Sequence, residues 1–143
     1  MLKGNTRLSI DEFHYNNTYR RLSPTKGGKS AKDALFKTMA ELFVWAAILG
    51  YKNKKRTPIE KRESSTTVEW TYIKEPHNHL LTILAVESVQ SFELLNDEAA
   101  LQKNIEEHSN GGLELMQSEL SNRMNYTSLE SLILHIQQRI NED

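Results

Sequence analysis

There is no cysteine anywhere in the 143 residues. This excludes a disulfide framework and every thiolate metal site, and it suits a reducing compartment. No apolar stretch is long enough to anchor in a bilayer, and Met1 to Ile10 lacks the apolar core of a secretory signal. The chain is therefore expected in the cytoplasm, with no membrane partner. Strand-forming sequence is also scarce, Thr66 to Ile73 (TTVEWTYI) being the one good candidate, with Val68, Trp70 and Tyr72 alternating against Thr67, Glu69 and Thr71. A lone strand needs a partner. It can pair with an extended N-terminus, pair with another subunit, or remain an extended segment whose Trp70 packs on the core.

Catalytic and metal constellations are missing too. His77 and His79 are two apart, not the four that places a pair on one helix face, and no nearby carboxylate completes a zinc pattern. Glu106, Glu107, Glu114 and Glu119 lack an accompanying His or Asp set and read as an exposed acidic face. Gly28-Lys29-Ser30 resembles the end of a phosphate-binding loop, but that motif requires glycine five positions before Gly28, where Ser23 stands, and no apolar strand leads in. The expectation is no catalytic residue, no metal and no cofactor.

What the chain does have is a core helix. Leu42 to Leu49 is eight apolar residues in a row, so no side of that segment can face water. Ser30 and Asp33 suggest its cap and Gly50 its stop, giving a buried central helix over about 31–50. Other helices are expected at Ser9–Leu22, with Ser9 as cap, and at Pro76–Ser91, with a broad apolar face. A polar, acidic helix is expected over Asp97–His108, ended or kinked by Asn110-Gly111-Gly112 before a helical Leu113–Leu120. The last helix is marked by Thr127 and Glu130 as a capping box and by an apolar stripe of Leu129, Leu132, Ile133, Ile136 and Ile140. The fold class is mainly α, a compact single-domain helical bundle over 1–143. It has five or six helices and one short extended segment at about 66–73.

A net charge of −1 conceals segregation. Residues 1–62 carry fourteen Lys/Arg against five Asp/Glu, a net +9, and residues 63–143 carry four against fourteen, a net −10. A basic half points to polyanion contact. The alternative is that the halves complement each other, within one molecule or across a homodimer. The densest cations are in Tyr51–Arg62 (YKNKKRTPIEKR), where Pro58 forbids a continuous helix. Lys52, Lys54, Lys55, Arg56, Lys61 and Arg62, helped by Arg20 and Arg21, are the candidate contacts to DNA phosphates.

Several phrases occur in order: Phe36-Lys37-Thr38-Met39, then Ala46-Ala47-Ile48-Leu49-Gly50-Tyr51, Lys54-Lys55-Arg56-Thr57-Pro58-Ile59, the Trp70 segment, and Ile105-Glu106-Glu107 leading to Asn110-Gly111-Gly112-Leu113. Together, over about Leu35–Leu120, they resemble the Dnd system-associated protein 4 family, small accessory proteins of DNA phosphorothioation systems. Where that family often has a tyrosine before the glycine pair, this chain has His108-Ser109-Asn110. The resemblance implies a non-enzymatic accessory of a DNA-modification-linked anti-phage defence system, with DNA and the protein components of a modification or restriction complex as partners. A protein–protein adaptor or a homodimeric assembly factor is the alternative, and a degenerate nuclease ranks third because no convergent carboxylates stand in the sequence.

Overall fold

A computed structural model of the chain describes residues 2–122 and 136–138. Strand β1 (Arg7–Leu8) leads into a helical segment, α1, built of a turn Glu12–His14, a π-helical stretch Tyr15–Tyr19 and a last turn Arg20–Leu22. Then come α2 (Met39–Lys52), β2 (Val68–Glu69), α3 (His77–Val89) and α4 (Glu98–Asn122), with 3₁₀ turns at Trp70–Tyr72 and Phe92–Asn96. The fold is mainly helical with one short two-stranded antiparallel sheet, as the sequence leads one to expect. The expected last helix, Thr127–Ile140, falls outside the described residues except at 136–138, which are helical, with Ile136 buried.

α2 is the buried centre, with Leu42, Phe43, Val44, Ala46, Ala47 and Leu49 all inside. Its start is Met39, not the neighbourhood of 31. Two capping pairs compete here, and the second caps the helix. The Thr38 hydroxyl accepts from the Glu41 N–H at 3.0 Å while the Glu41 carboxylate accepts from the Lys37 N–H at 3.2 Å. Ser30 and Asp33 close only a turn, because Phe36 and Ala34 are drawn into the core beyond it and the Phe36 N–H bonds the Leu22 carbonyl at 2.8 Å. Gly50 is likewise not the stop. Lys54 takes the left-handed conformation at φ 52°, and the Lys55 N–H returns to the Gly50 carbonyl at 2.8 Å, a Schellman closure with lysine where glycine is usual.

α4 corrects the sequence reading most. It runs unbroken for 25 residues through Asn110-Gly111-Gly112. The glycines let two backbones touch. A Cβ on Gly112 would fall on the Ala46 carbonyl, one on Gly111 on the Lys55 carbonyl, and one on Gly50 on the His108 carbonyl, each well inside van der Waals contact. The Ser109 hydroxyl, in the same seam, donates to the Phe43 carbonyl at 3.1 Å. Leu101, Ile105, Leu113 and Met116 complete the buried face of α4.

Of the three partners open to the Thr66–Ile73 segment, the N-terminus is the one used. Arg7 pairs with Glu69 and Leu8 with Val68, and the Trp70 N–H bonds the Thr6 carbonyl at 2.9 Å. The ladder stops there, since Trp70 to Tyr72 curl into a 3₁₀ turn that buries the indole. α1 begins at Glu12, later than expected, because Asp11 and not Ser9 caps it. Asp11 accepts from the Phe13 N–H at 2.9 Å and from the Glu60 N–H at 3.1 Å. Ser9 instead donates its N–H to the Glu106 carboxylate. Among the described residues no helix is long and apolar enough to cross a membrane.

Candidate nucleic-acid interface

The loop after α2 is extended and fastened to α4. The Thr57 N–H bonds the Glu107 carbonyl at 3.0 Å, and the Asn110 amide donates to the carbonyls of Thr57 and Pro58, both at 3.2 Å. This anchoring divides the expected phosphate contacts into two groups. Arg56 meets Glu107 at 2.8 Å, Lys55 meets Glu114 at 3.4 Å and Lys61 meets Glu12 at 3.3 Å. Lys52, Lys54 and Arg62 are exposed and, among the described residues, in no ion pair. Arg20 is exposed and donates to the Gly27 carbonyl at 3.2 Å, while Arg21 is half-buried.

At the other end of α2 is a cationic segment that the sequence reading underweighted. Residues 20–37 hold Arg20, Arg21, Lys26, Lys29, Lys32 and Lys37 against the single acid Asp33, a net +5. The four lysines are exposed and none is in an ion pair among the described residues. Phe36, fully buried, holds the segment against the core. The signal was present in the sequence as lysines at 26, 29 and 32 beside Pro24 and Gly27-Gly28. α2 is about 20 Å long, so Lys37 just before it and Lys52 in its last turn stand at its opposite ends.

The acids expected on an exposed face are instead mostly interior. Glu106, Glu107 and Glu119 are buried and Glu114 half-buried; the N-terminus supplies a donor to Glu106, and the basic loop supplies Arg56 to Glu107 and Lys55 to Glu114. Ion pairs Lys3–Glu98, Arg7–Glu69, Lys55–Glu114 and Arg56–Glu107 all join the basic half to the acidic half. Much of the charge segregation is thus neutralised inside one molecule.

Beneath the loop runs a polar network. Tyr51 stacks on His108 with ring centroids 4.0 Å apart, and its hydroxyl donates to Asn104 at 2.7 Å. Asn104 in turn donates to the Ser88 hydroxyl at 3.1 Å. Burial pushes the Tyr51 phenol up, against the opposing effect of Arg56, so it stays a neutral donor. His108 is held below the usual histidine range by burial and secondarily by Arg56, opposed by its bond to the Asn104 carbonyl at 2.8 Å and by Glu107. Burial lowers His14 as well, against Asp11 and Glu114, and its ring bonds the Thr18 hydroxyl at 2.7 Å. Asp11, His14, Glu60, Asn110, Glu114 and Gln117 line a cleft of about 410 Å³ between α1, α4 and the loop. No group of three or more His, Asp or Glu able to hold a metal occurs among the described residues. Neutral histidines, paired acids and fixed backbone make this network a device for seating the loop.

The model for the family described as DNA sulphur modification system-associated protein 4 matches residues 18–143. The chain belongs to that family. The match takes in α1 from Thr18, α2, both ends of the basic surface and the glycine seam of α4. Membership of the DNA sulphur modification system-associated protein 4 family makes the chain an accessory of such a system, in keeping with the phrases between Leu35 and Leu120. Comparison with curated proteins and with solved structures finds no match.

Proposed function

We propose that the chain is a non-enzymatic accessory protein of a DNA sulphur modification system, serving anti-phage defence, that contacts DNA phosphates. The contacting groups are the cations that folding leaves outside ion pairs, Lys26, Lys29, Lys32 and Lys37 before α2 and Lys52, Lys54 and Arg62 after it. Lys55, Arg56 and Lys61, first expected in that role, act mainly to seat the loop on α4 and α1. The observation that carries the reading is the exposed +5 segment at 20–37, whose lysines stand in no ion pair among the described residues and which Phe36 pins to the core. Flexible lysines on a fixed loop suit contact that follows the backbone and ignores base sequence.

The test is binding of a labelled duplex, with and without backbone sulphur, across a salt series. Lys26→Glu/Lys29→Glu/Lys32→Glu and Lys52→Glu/Lys54→Glu/Arg62→Glu are compared with the parent. Removing one lysine–phosphate interaction should flatten the salt dependence by about 0.9 in log–log slope, so the first triple should take away roughly 3. Binding unchanged in both triples, or no binding at low salt, would sink the proposal. A second reading, a protein–protein adaptor or homodimeric assembly factor, draws on the outward apolar side of α3 and is the one to take up in the latter case.

A further inference from the structure

α3 carries apolar residues on every side but is packed on one. Leu81 and Ala85 are fully buried, whereas Ile83 is 64% exposed, Val89 41% and Leu80 37%, and Phe92 on the following turn is 80% exposed. A helix apolar all round belongs under cover on all sides, and a continuous apolar patch rimmed by polar groups marks an interaction surface. Between α3 and the Phe92–Asn96 turn lies a groove of about 530 Å³, with Ile83, Val86 and Phe92 among its walls and Glu87 and Gln90 at its edge. We propose that this groove docks an amphipathic helix of a partner protein, with apolar anchors at i, i+3/i+4 and i+7 and lysines or arginines beside them.

The charge around the groove selects that occupant. Residues 75–98 contain Glu75, Glu87, Glu93, Asp97 and Glu98 and no lysine or arginine. Glu98 is met by Lys3 and Glu75 by His79; of the other three, Glu87 lines the groove while Glu93 and Asp97 stand on and just after the Phe92–Asn96 turn that bounds it, all three exposed and in no ion pair among the described residues. A nucleic acid or an anionic lipid surface would bring phosphate against these carboxylates. A second copy docking the same face by two-fold symmetry would set acid against acid. A basic helix satisfies both the apolar floor and the acidic rim.

The proposal is independent of the phosphate-contacting surface, since none of its residues lies in 20–37 or 52–62. The probe is a synthetic amphipathic peptide with leucines on one face and flanking lysines, compared with a glutamate-flanked copy, followed by fluorescence anisotropy with the full chain. The lysine form should bind roughly tenfold or more tighter. Ile83→Asp and Phe92→Ser should each weaken it at least about tenfold while leaving the melting temperature in place, because both side chains are exposed. Glu87→Lys with Glu93→Lys should reverse the preference between the two peptides. Equal binding of both peptides, binding of neither, or a dimer in sedimentation that Phe92→Ser dissociates would overturn it.

Discussion

Replacing Gly112 by alanine adds one methyl group at the point where α4 crosses α2. The atoms it meets are the carbonyl oxygen, carbonyl carbon and Cα of Ala46, all backbone, so no side chain can swing aside to admit it. One helix has to move. Overpacking of this kind costs about 1–3 kcal/mol, and a contact made wholly with backbone belongs at the upper end. Against it stands the ordinary gain of about 0.5–1 kcal/mol for replacing a glycine inside a helix. The net is a loss of about 2 kcal/mol, or a fall of roughly 6–8 °C in Tm for a chain of this length. Differential scanning calorimetry on the parent and Gly112→Ala measures it, with Gly4→Ala as control. Nothing lies within 4 Å of a Cβ at Gly4, so that control should shift stability by less than about 0.5 kcal/mol. Gly50→Ala, aimed at the His108 carbonyl in the same seam, should also destabilise, and the double variant should lose less than the sum because the first substitution already parts the helices. A neutral or stabilised Gly112→Ala would mean that α2 and α4 do not touch there, and the case for a continuous α4 would fall with it.

Arg56→Ala strands Glu107, whose side chain is only 10% exposed, and should cost about 1–2 kcal/mol in urea unfolding, the lower part of the range for a charged bond because Arg56 is itself 39% exposed. Arg56→Ala with Glu107→Gln should recover part of that loss, and neither should change duplex affinity as much as the Lys26/Lys29/Lys32 reversal does. Tyr51→Phe removes the donor to Asn104 and leaves that buried oxygen short of a partner, for a loss of about 1–2 kcal/mol in the same assay. His14 and His108 are held below their unfolded value of 6.5, so the native state binds fewer protons than the unfolded chain. Their contribution is complete above pH 6.5, declines as pH falls below it and levels off under the folded pKa. The urea midpoint should accordingly drop between pH 7.5 and 5.5, and His108→Gln should shallow the drop.

α2 was legible in the sequence because eight consecutive apolar residues admit only a buried helix. Its ends were not, since Ser30/Asp33 and Thr38/Glu41 are both good caps and the choice depends on Phe36 reaching the core, a tertiary event. α4 was misread for a physical reason. Asn104, Glu106, Glu107, His108, Ser109 and Asn110 look like a solvated face, and Gly111-Gly112 like a break. Those polar residues are buried because tertiary partners meet them. Ser9 and Arg56 donate to Glu106 and Glu107, Tyr51 covers Asn104 and His108, and Ser109 and Asn110 donate to carbonyls of α2 and the loop, while Gly112 and Gly111 mark the close approach of α4 to α2 and to that loop. Local pattern carries neither fact. The basic surface was half legible: the asymmetry between the halves is in the composition, but which cations remain free depends on partners fifty residues away, as Arg56 and Glu107 show.

That redistribution bears directly on what the charge can be for. A net +9 in the first 62 residues overstates the surface available to a polyanion, because Lys3, Arg7, Lys55, Arg56 and Lys61 are each within 4 Å of a carboxylate. Setting them aside leaves the other cations of those 62 residues in 20–37 and 52–62, before and after α2, while around α3 the acids Glu87, Glu93 and Asp97 are exposed and in no ion pair among the described residues. Ion pairs therefore do more than join the halves; they separate two exposed regions of opposite sign and unlike character, one polar and cationic, the other apolar with an acidic rim. On the proposed reading, phosphates would be drawn to the first and repelled by the second. If both surfaces are used, duplex and basic peptide should bind the same molecule together. Saturating the chain with the lysine-flanked peptide should then leave duplex affinity within about twofold, whereas mutual exclusion would show that the two ligands compete for one surface.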